Sequence, residues 1–140
     1  MDISLFGRSC QLDAYSCGVH SCRMILRYFN KFHSVGSLTQ RLNCTRSSGT
    51  SMDALLEVLR EEGLRAHTYQ NLGASELARI LKGGGVALVR VDGDHCAVAH
   101  KATKEHIYVA DPSFLRMLGT RLTWGEFEKR WDRSGLIAAR

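Results

Sequence analysis

A cysteine with an unusual setting lies near the start of the chain. Cys17 is followed at once by Gly18 and begins a predicted amphipathic helix over residues 17–30, in which apolar residues recur three or four positions apart. A thiol at a helix N-terminus loses its proton more readily, because unpaired N–H groups and the helix dipole favour negative charge. Gly18 would also let a substrate carbonyl approach the Cys17 N–H. Cys17 is therefore a candidate nucleophile, although a lone cysteine is as often a small buried hydrophobe.

Gln11 could serve the same site. It lies six residues before Cys17 in a predicted loop, from which its side-chain amide could complete an oxyanion hole with the Cys17 N–H. A zinc site built from Cys10, Cys17, His20 and Cys22 is disfavoured, because the set contains no CxxC pair and more than one of its ligands would lie on one rigid helix. We expect Cys22 to be a buried thiol instead. Neither a metal nor an organic cofactor is expected.

Position selects His95 as the base among six histidines. His95 and His100 share a predicted strand, and a hairpin that turns about Thr103 sets His95 opposite Asp111, with Cβ atoms ~5 Å apart. An imidazole beside a carboxylate suits a general base and the residue that orients it. His100 falls on the opposite face and is expected to be structural or exposed. The remaining histidines fall on predicted helix, loop or turn surfaces, where solvated side chains are expected: His20, His33, His67 and His106.

Asp111 is followed by Pro112, which would end the strand and fix the carboxylate at its tip. An Asp-Pro pair after a strand is more often a turn, and only the pairing with His95 favours a catalytic role. The predicted turn, KATKE, contains no Gly, Asn or Asp, so the register of this hairpin is weakly specified. A slip of one residue would separate the histidine from the carboxylate.

The elements that must position these residues follow from the apolar pattern. Further helices are predicted at 37–42, in SSGTSMDALLEVLREEGL with a stop at Gly63, and in ELARILK after a Ser75 cap. A capping box of Thr123 and Glu126 predicts a last, short helix, which carries Phe127 and Trp131. Strands are predicted at VALVRV, CAVAHK, IYVAD and Leu136–Ala138. Helices come first and strands second, which predicts an α+β fold with the early helix across one face of an antiparallel sheet. No repeat or linker divides the chain, so residues 1–140 are expected to form a single domain.

Composition and charge narrow the classes of function. The 140 residues carry a formal net charge of +5, but no run of Lys and Arg is interleaved with aromatic residues, so nucleic acid is not an expected partner. Five cysteines without dense, regular spacing indicate reduced thiols. The start MDISLFGRSC lacks the features of a signal peptide, and no apolar run is long enough to cross a bilayer. These observations predict a cytoplasmic protein.

Four segments together resemble the bacteriocin-processing, double-glycine leader peptidases, a papain-like family of cysteine peptidases. They are QLDAYSCGVHSCRMILRYFNK, GTSMDALLEVLREEGL, GDHCAVAHKATKEHIYVADPS and WGEFEKRW, and they span nearly the whole chain. In that family the working residues are a Gln-x₅-Cys-Gly element, a histidine that opens an apolar strand and an Asp-Pro that ends the next strand. These features match Gln11, Cys17, His95 and Asp111. Ser16 departs from the family, which commonly has an acid at that position.

The resemblance implies a cysteine peptidase that cleaves a precursor peptide after a Gly-Gly leader motif. Family members are usually the amino-terminal, cytosolic part of an ABC exporter, so the implied partners are a leader-bearing peptide and an exporter at the cytoplasmic membrane face. Two alternatives remain open, namely an acyltransferase that uses the same thioester and a leader-docking domain without catalysis. Retention of all four residues disfavours the second. YSCGV also resembles ubiquitin-like-protein proteases, but in those the His and Asp precede the Cys.

Overall fold

The computed structural model describes residues 17–44, 50–92, 95–110 and 120–140. Within these ranges the fold is α+β, with helices Cys17–Tyr28 (α1), Val35–Arg41 (α2), Met52–Glu61 (α3), Ala74–Lys82 (α4) and Trp124–Arg130 (α5). The strands are Arg65–Tyr69 (β1), Val86–Val91 (β2), His95–Ala102 (β3), His106–Ala110 (β4), Thr120–Thr123 (β5) and Trp131–Ala139 (β6). They form one antiparallel sheet in the order β1-β6-β2-β3-β4-β5. The predicted fold class is confirmed.

Both faces of the sheet are covered by helices. Alternation along the apolar strand β2 sends Val86 and Leu88 into a core shared with α1, α2 and α3, which we call the front core. Ala87 and Val89 point into a second core, the back core, which contains Leu77 of α4 and residues of α5. The early helix therefore packs on one face of the later sheet, as predicted, and a second helical layer covers the other face.

The predicted helix signals hold at α3 and α5. The Ser51 hydroxyl accepts a hydrogen bond from the Ala54 N–H at 3.1 Å at the start of α3, and Gly63, with φ of 88°, follows its end. Thr123 and Glu126 make both bonds of the predicted capping box, at 2.9 and 3.2 Å. Two starts differ from the prediction, because Ser34 caps α2 and Gly73 precedes α4.

The register of the β3–β4 hairpin differs from the prediction. Ala99 pairs with Val109 and Lys101 with Tyr108, so His100 is the extra residue of a β-bulge. The turn spans residues 103–105 and is closed by a hydrogen bond from the Thr103 N–H to the His106 carbonyl at 2.8 Å. The expected turn about Thr103 is wrong, because the observed turn is centred further along the chain and the bulge reverses only one residue of that shift. The expected pairing of His95 with Asp111 lies outside the described residues.

Three strands were absent from the prediction or shorter in it. In β1 only Ala66 and Tyr69 are buried, so the strand lacks the strict alternation of buried and exposed residues that marks a half-buried strand. β5 is a four-residue edge strand. Trp131, expected in the last helix, instead begins β6 and pairs with Val91 of β2. From Gly135 onwards β6 pairs with both β1 and β2. In the part of the chain that the structure describes, no helix is long and apolar enough to cross a membrane.

Candidate active site

Two of the predicted site residues stand at the first positions of neighbouring elements. Cys17 begins α1 and His95 begins β3, and α1 packs directly against β3. Cys17 is the first residue of a twelve-residue helix, and the N-terminus of a helix is in general a setting that favours a thiolate. The side chain of Cys17 is not described, and Gln11 and Asp111 lie outside the described residues. The structure therefore brings together the elements that carry the predicted thiol and base.

The position of α1 is fixed by a fully buried stripe. Val19, Cys22, Ile25 and Leu26 are each 0% exposed and recur at helical spacing, so one face of the helix is sealed in the front core. Burial raises the pKa of the Cys22 thiol to about 12, despite the opposing charge of Arg41. Cys22 is thus a protonated structural thiol, as predicted.

A close contact with Thr50 leaves no room for a side chain at position 18, next to Cys17. A Cβ added at Gly18 would lie 2.8 Å from the Cβ of Thr50, which immediately precedes the cap of α3. The space that the sequence suggested for a substrate beside Gly18 is occupied, on the Cβ side, by the Thr50 side chain. Gly18 therefore lets the start of α1 lie against the chain that leads into α3.

His95 lies half-buried at the rim of the sheet. It pairs with Val91 of β2 across the β2–β3 ladder. The next residue, Cys96, is also half-buried and packs against the front core, so the start of β3 is in contact with the same cluster as α1. His95 is thus held by a strand and remains partly accessible to solvent, and a general base needs such access to reach its substrate.

The other histidines test the expectation of solvated side chains. His67 is exposed, and His33 and His106 are half-buried. His20 contradicts the expectation, because it is only 7% exposed on the inner part of α1. His100, expected to be either structural or exposed, is only 5% exposed in the bulge of β3 and is therefore a buried side chain of the sheet. Among the described residues, no group of His, Cys, Asp or Glu could hold a metal ion.

A row of polar side chains crosses three neighbouring strands of the sheet. Lys101, Tyr108 and Arg121 are cross-strand partners on β3, β4 and β5, and the Lys101 Nζ lies 5.0 Å from the centroid of the Tyr108 ring. The neighbours of Tyr108, Ile107 and Val109, point into the back core, so this row lies on the front face. We call these three residues the front row. The sequence pattern does not predict this row, because the three residues align only in the bulged register.

Solved structures share this architecture. The chain is similar to a double glycine motif protease from an AMS/PCAT transporter in complex with its leader peptide (21% identity, 94% of this chain and 89% of that one, TM-score 0.75). It is also similar to the peptidase domain of Streptococcus ComA, a bifunctional ABC transporter involved in a quorum sensing pathway (16% identity, 93% of this chain and 95% of that one, TM-score 0.78). A third similar structure is the N-terminal peptidase C39 like domain of the toxin secretion ATP-binding protein from Vibrio parahaemolyticus (13% identity, 89% of this chain and 98% of that one, TM-score 0.64). These likenesses establish the papain-like fold of a peptidase domain.

The sequence assigns the family. Residues 8–140 match the model of the Peptidase C39 family, and the chain belongs to that family. A comparison with curated protein sequences gives no match. Family membership supports a peptidase role for the chain and agrees with the resemblance found in the sequence.

Proposed function

We propose that the chain is a cysteine peptidase in which Cys17 is the nucleophile, His95 the base, Asp111 the residue that orients His95, and Gln11 an oxyanion donor. The observation that carries the proposal is the packing of α1, which begins at Cys17, on β3, which begins at His95. Membership of the Peptidase C39 family supports it. Asp111 directly follows Ala110, which pairs with Val98 three residues along β3 from His95.

The proposed reaction has two steps. His95 takes the proton of the Cys17 thiol, the thiolate attacks the scissile carbonyl, and the collapse of the oxyanion expels the amine, which takes the proton from His95. Gln11 and the Cys17 N–H stabilise the oxyanion in each step. Water, deprotonated by His95, then attacks the thioester and releases the carboxylic acid and the thiol. No metal or organic cofactor takes part in this scheme.

We further propose that the substrate is a precursor peptide cut after a Gly-Gly pair at the end of its leader. A narrow cleft that excludes side chains gives limited discrimination, since one methylene is worth only ~1–3 kcal/mol. Upstream leader residues must then supply most of the specificity. The front row presents two cations around an aromatic ring, and these are complementary to a leader segment with acidic and apolar side chains. The proposed setting is the cytoplasmic membrane face, beside an ABC exporter.

Two peptide series test the proposed substrate. One replaces Gly-Gly at the cleavage point with Ala-Ala or Val-Val, and the other replaces upstream leucines with serine. We expect Val-Val to be cut far more slowly than Gly-Gly, and the serine series to raise KM more than it lowers kcat. Equal cleavage of Val-Val and Gly-Gly, or of a bare Gly-Gly tetrapeptide and the full leader, would refute a leader peptidase.

A further inference from the structure

An ion pair joins the turn before His95 to the end of α5. The Nε of Arg130 donates to both carboxylate oxygens of Asp92, at 3.0 and 3.2 Å, and its Nη2 donates to Oδ2 at 2.5 Å. The Asp92 N–H in turn donates to the Arg130 carbonyl oxygen at 2.9 Å. Side chain and main chain therefore bind the same two residues together, and the guanidinium geometry fixes the orientation of the carboxylate.

Asp92 is held in a conformation that few residues adopt. It follows the end of β2 with φ of 52°, in the left-handed region, which Asp tolerates better than most residues. Such a conformation persists only where the surrounding structure determines it. The contacts with Arg130 are among the interactions that hold Asp92 in this conformation where the chain leaves β2.

The pair is connected to His95 through the ladder. Val91 pairs with His95 on one side and with Trp131 of β6 on the other. Asp92 directly follows Val91, and Arg130 directly precedes Trp131. A shift of the ion pair would therefore reach the β2–β6 junction and Val91, the residue that pairs with His95 across the strands.

We propose that the Arg130–Asp92 ion pair positions His95 for proton transfer. The inference rests on the proposed function, because it assumes that His95 is the base. The side chains of Arg130 and Asp92 are 30% and 41% exposed, so their pairing adds little to global stability. Its effect on rate is larger, because a misplacement of about 1 Å far from the chemistry can cost on the order of 100-fold.

Asp92→Asn and Arg130→Gln test the role with a precursor peptide whose leader ends in Gly-Gly. Asn keeps the tolerance for the left-handed backbone and removes only the charge, so this variant should fold. We expect each change to lower kcat about 10- to 100-fold and to leave KM within about threefold. Arg130→Lys, which keeps the charge but not the two-pronged geometry, should fall between Arg130→Gln and the parent.

Glu128→Gln is the matched control. Glu128 lies on α5, as Arg130 does, and accepts from the Nη2 of Arg133 at 3.0 Å, with the side chains of Arg133 and Glu128 45% and 37% exposed. Loss of this second surface ion pair leaves the contact of Arg133 with Trp131 in place and should leave kcat at the parent value. A fall in kcat equal to that of Arg130→Gln would overturn the positioning role, because any surface ion pair of α5 would then have the same effect.

A second measurement is independent of activity. In NMR spectra, the ring and amide resonances of His95 should shift in Asp92→Asn and Arg130→Gln and stay in place in Glu128→Gln. Unmoved His95 resonances, or parent kcat in both variants while His95→Ala is inactive, would overturn the positioning role and leave the proposed function standing. Full activity of His95→Ala would overturn the proposed function itself, and the spectra alone would then decide whether the pair positions the ring.

Discussion

Whether a single side chain of α1 is buried depends on the packing of the whole fold as well as on its position along the helix. His20 lies on a predicted helix surface, yet it is buried, because α1 is covered by more than the sheet alone. Cys22 behaves as expected, since its spacing from Val19 and Ile25 already marks the inner stripe of the helix. Spacing along one helix predicts which face is inward, but the width of the buried face depends on contacts from distant parts of the chain.

The cluster around Glu62 gives a prediction at the scale of the residue. The carboxylate is bonded to His33 at 2.7 Å and to Arg41 at 3.2 Å, and it links the end of α3 to α2. Burial alone would raise the pKa of Glu62, but the hydrogen bonds and charges of His33 and Arg41 outweigh it and hold the pKa below its usual value.

A lowered pKa in the folded state stabilises the protein above the pKa of the unfolded carboxyl. This stabilisation is lost as the pH falls from the ordinary pKa of Glu toward the lower folded value. We expect Glu62→Gln to flatten the acid limb of the stability curve, measured as urea unfolding from neutral to acid pH. Glu57→Gln, an exposed change on the same helix, is the control. An unchanged acid limb in Glu62→Gln would contradict this account.

At the scale of the element, the sequence identified the helices and central strands but not how the hairpin pairs. VALVRV is a strand over its predicted range, because a continuous apolar run is buried on both faces. The β3–β4 register failed because nothing local marks the His100 bulge or the turn at 103–105. The predicted last strand is shorter than β6, because the first half of β6 is polar and its partner strands, β1 and β2, lie far away in the sequence. Pairing depends on such distant contacts.

Gly18 gives a prediction at this scale, because it sets the approach of α1 to the chain entering α3. Gly18→Ala would force a Cβ to 2.8 Å from Thr50 and should destabilise the protein by ~1–3 kcal/mol, as overpacking does. Gly36→Ala is the matched control, since Gly36 is also helical and a Cβ there meets nothing within 4 Å.

That control should be neutral or stabilising by up to ~1 kcal/mol, because Ala loses less backbone freedom than Gly on folding. Urea unfolding of both variants checks the prediction. Equal stabilities of Gly18→Ala and Gly36→Ala would show that the contact with Thr50 is not restrictive.

At the scale of the whole molecule, the two cores share one sheet. β2 contributes side chains to both, with Leu88 in the front core and Val89 in the back core. Neither core can therefore lose its sheet face without disturbing the other. We propose on this ground that residues 1–140 form a single cooperative domain, as the absence of a linker in the sequence suggests.

Two optical probes test this cooperativity. The two tryptophans of the chain, Trp124 and Trp131, both pack in the back core, so their fluorescence reports on that side. Far-UV circular dichroism also reports on α1, α2 and α3 of the front. Thermal unfolding followed by the two signals should give the same midpoint. Separate midpoints would mean that the two sides unfold independently and that the single-domain proposal is wrong.

The central claim is that Cys17 is the nucleophile, and alkylation tests it most directly. Iodoacetamide at neutral pH, with the modified cysteines mapped by mass spectrometry, should abolish cleavage of a Gly-Gly leader peptide in step with the modification of Cys17. Cys22 serves as an internal control, because its burial and its pKa of about 12 should leave it unmodified in the folded protein. Cys17→Ala should fold and be inactive. Full activity with Cys17 completely modified, or in Cys17→Ala, would contradict the account.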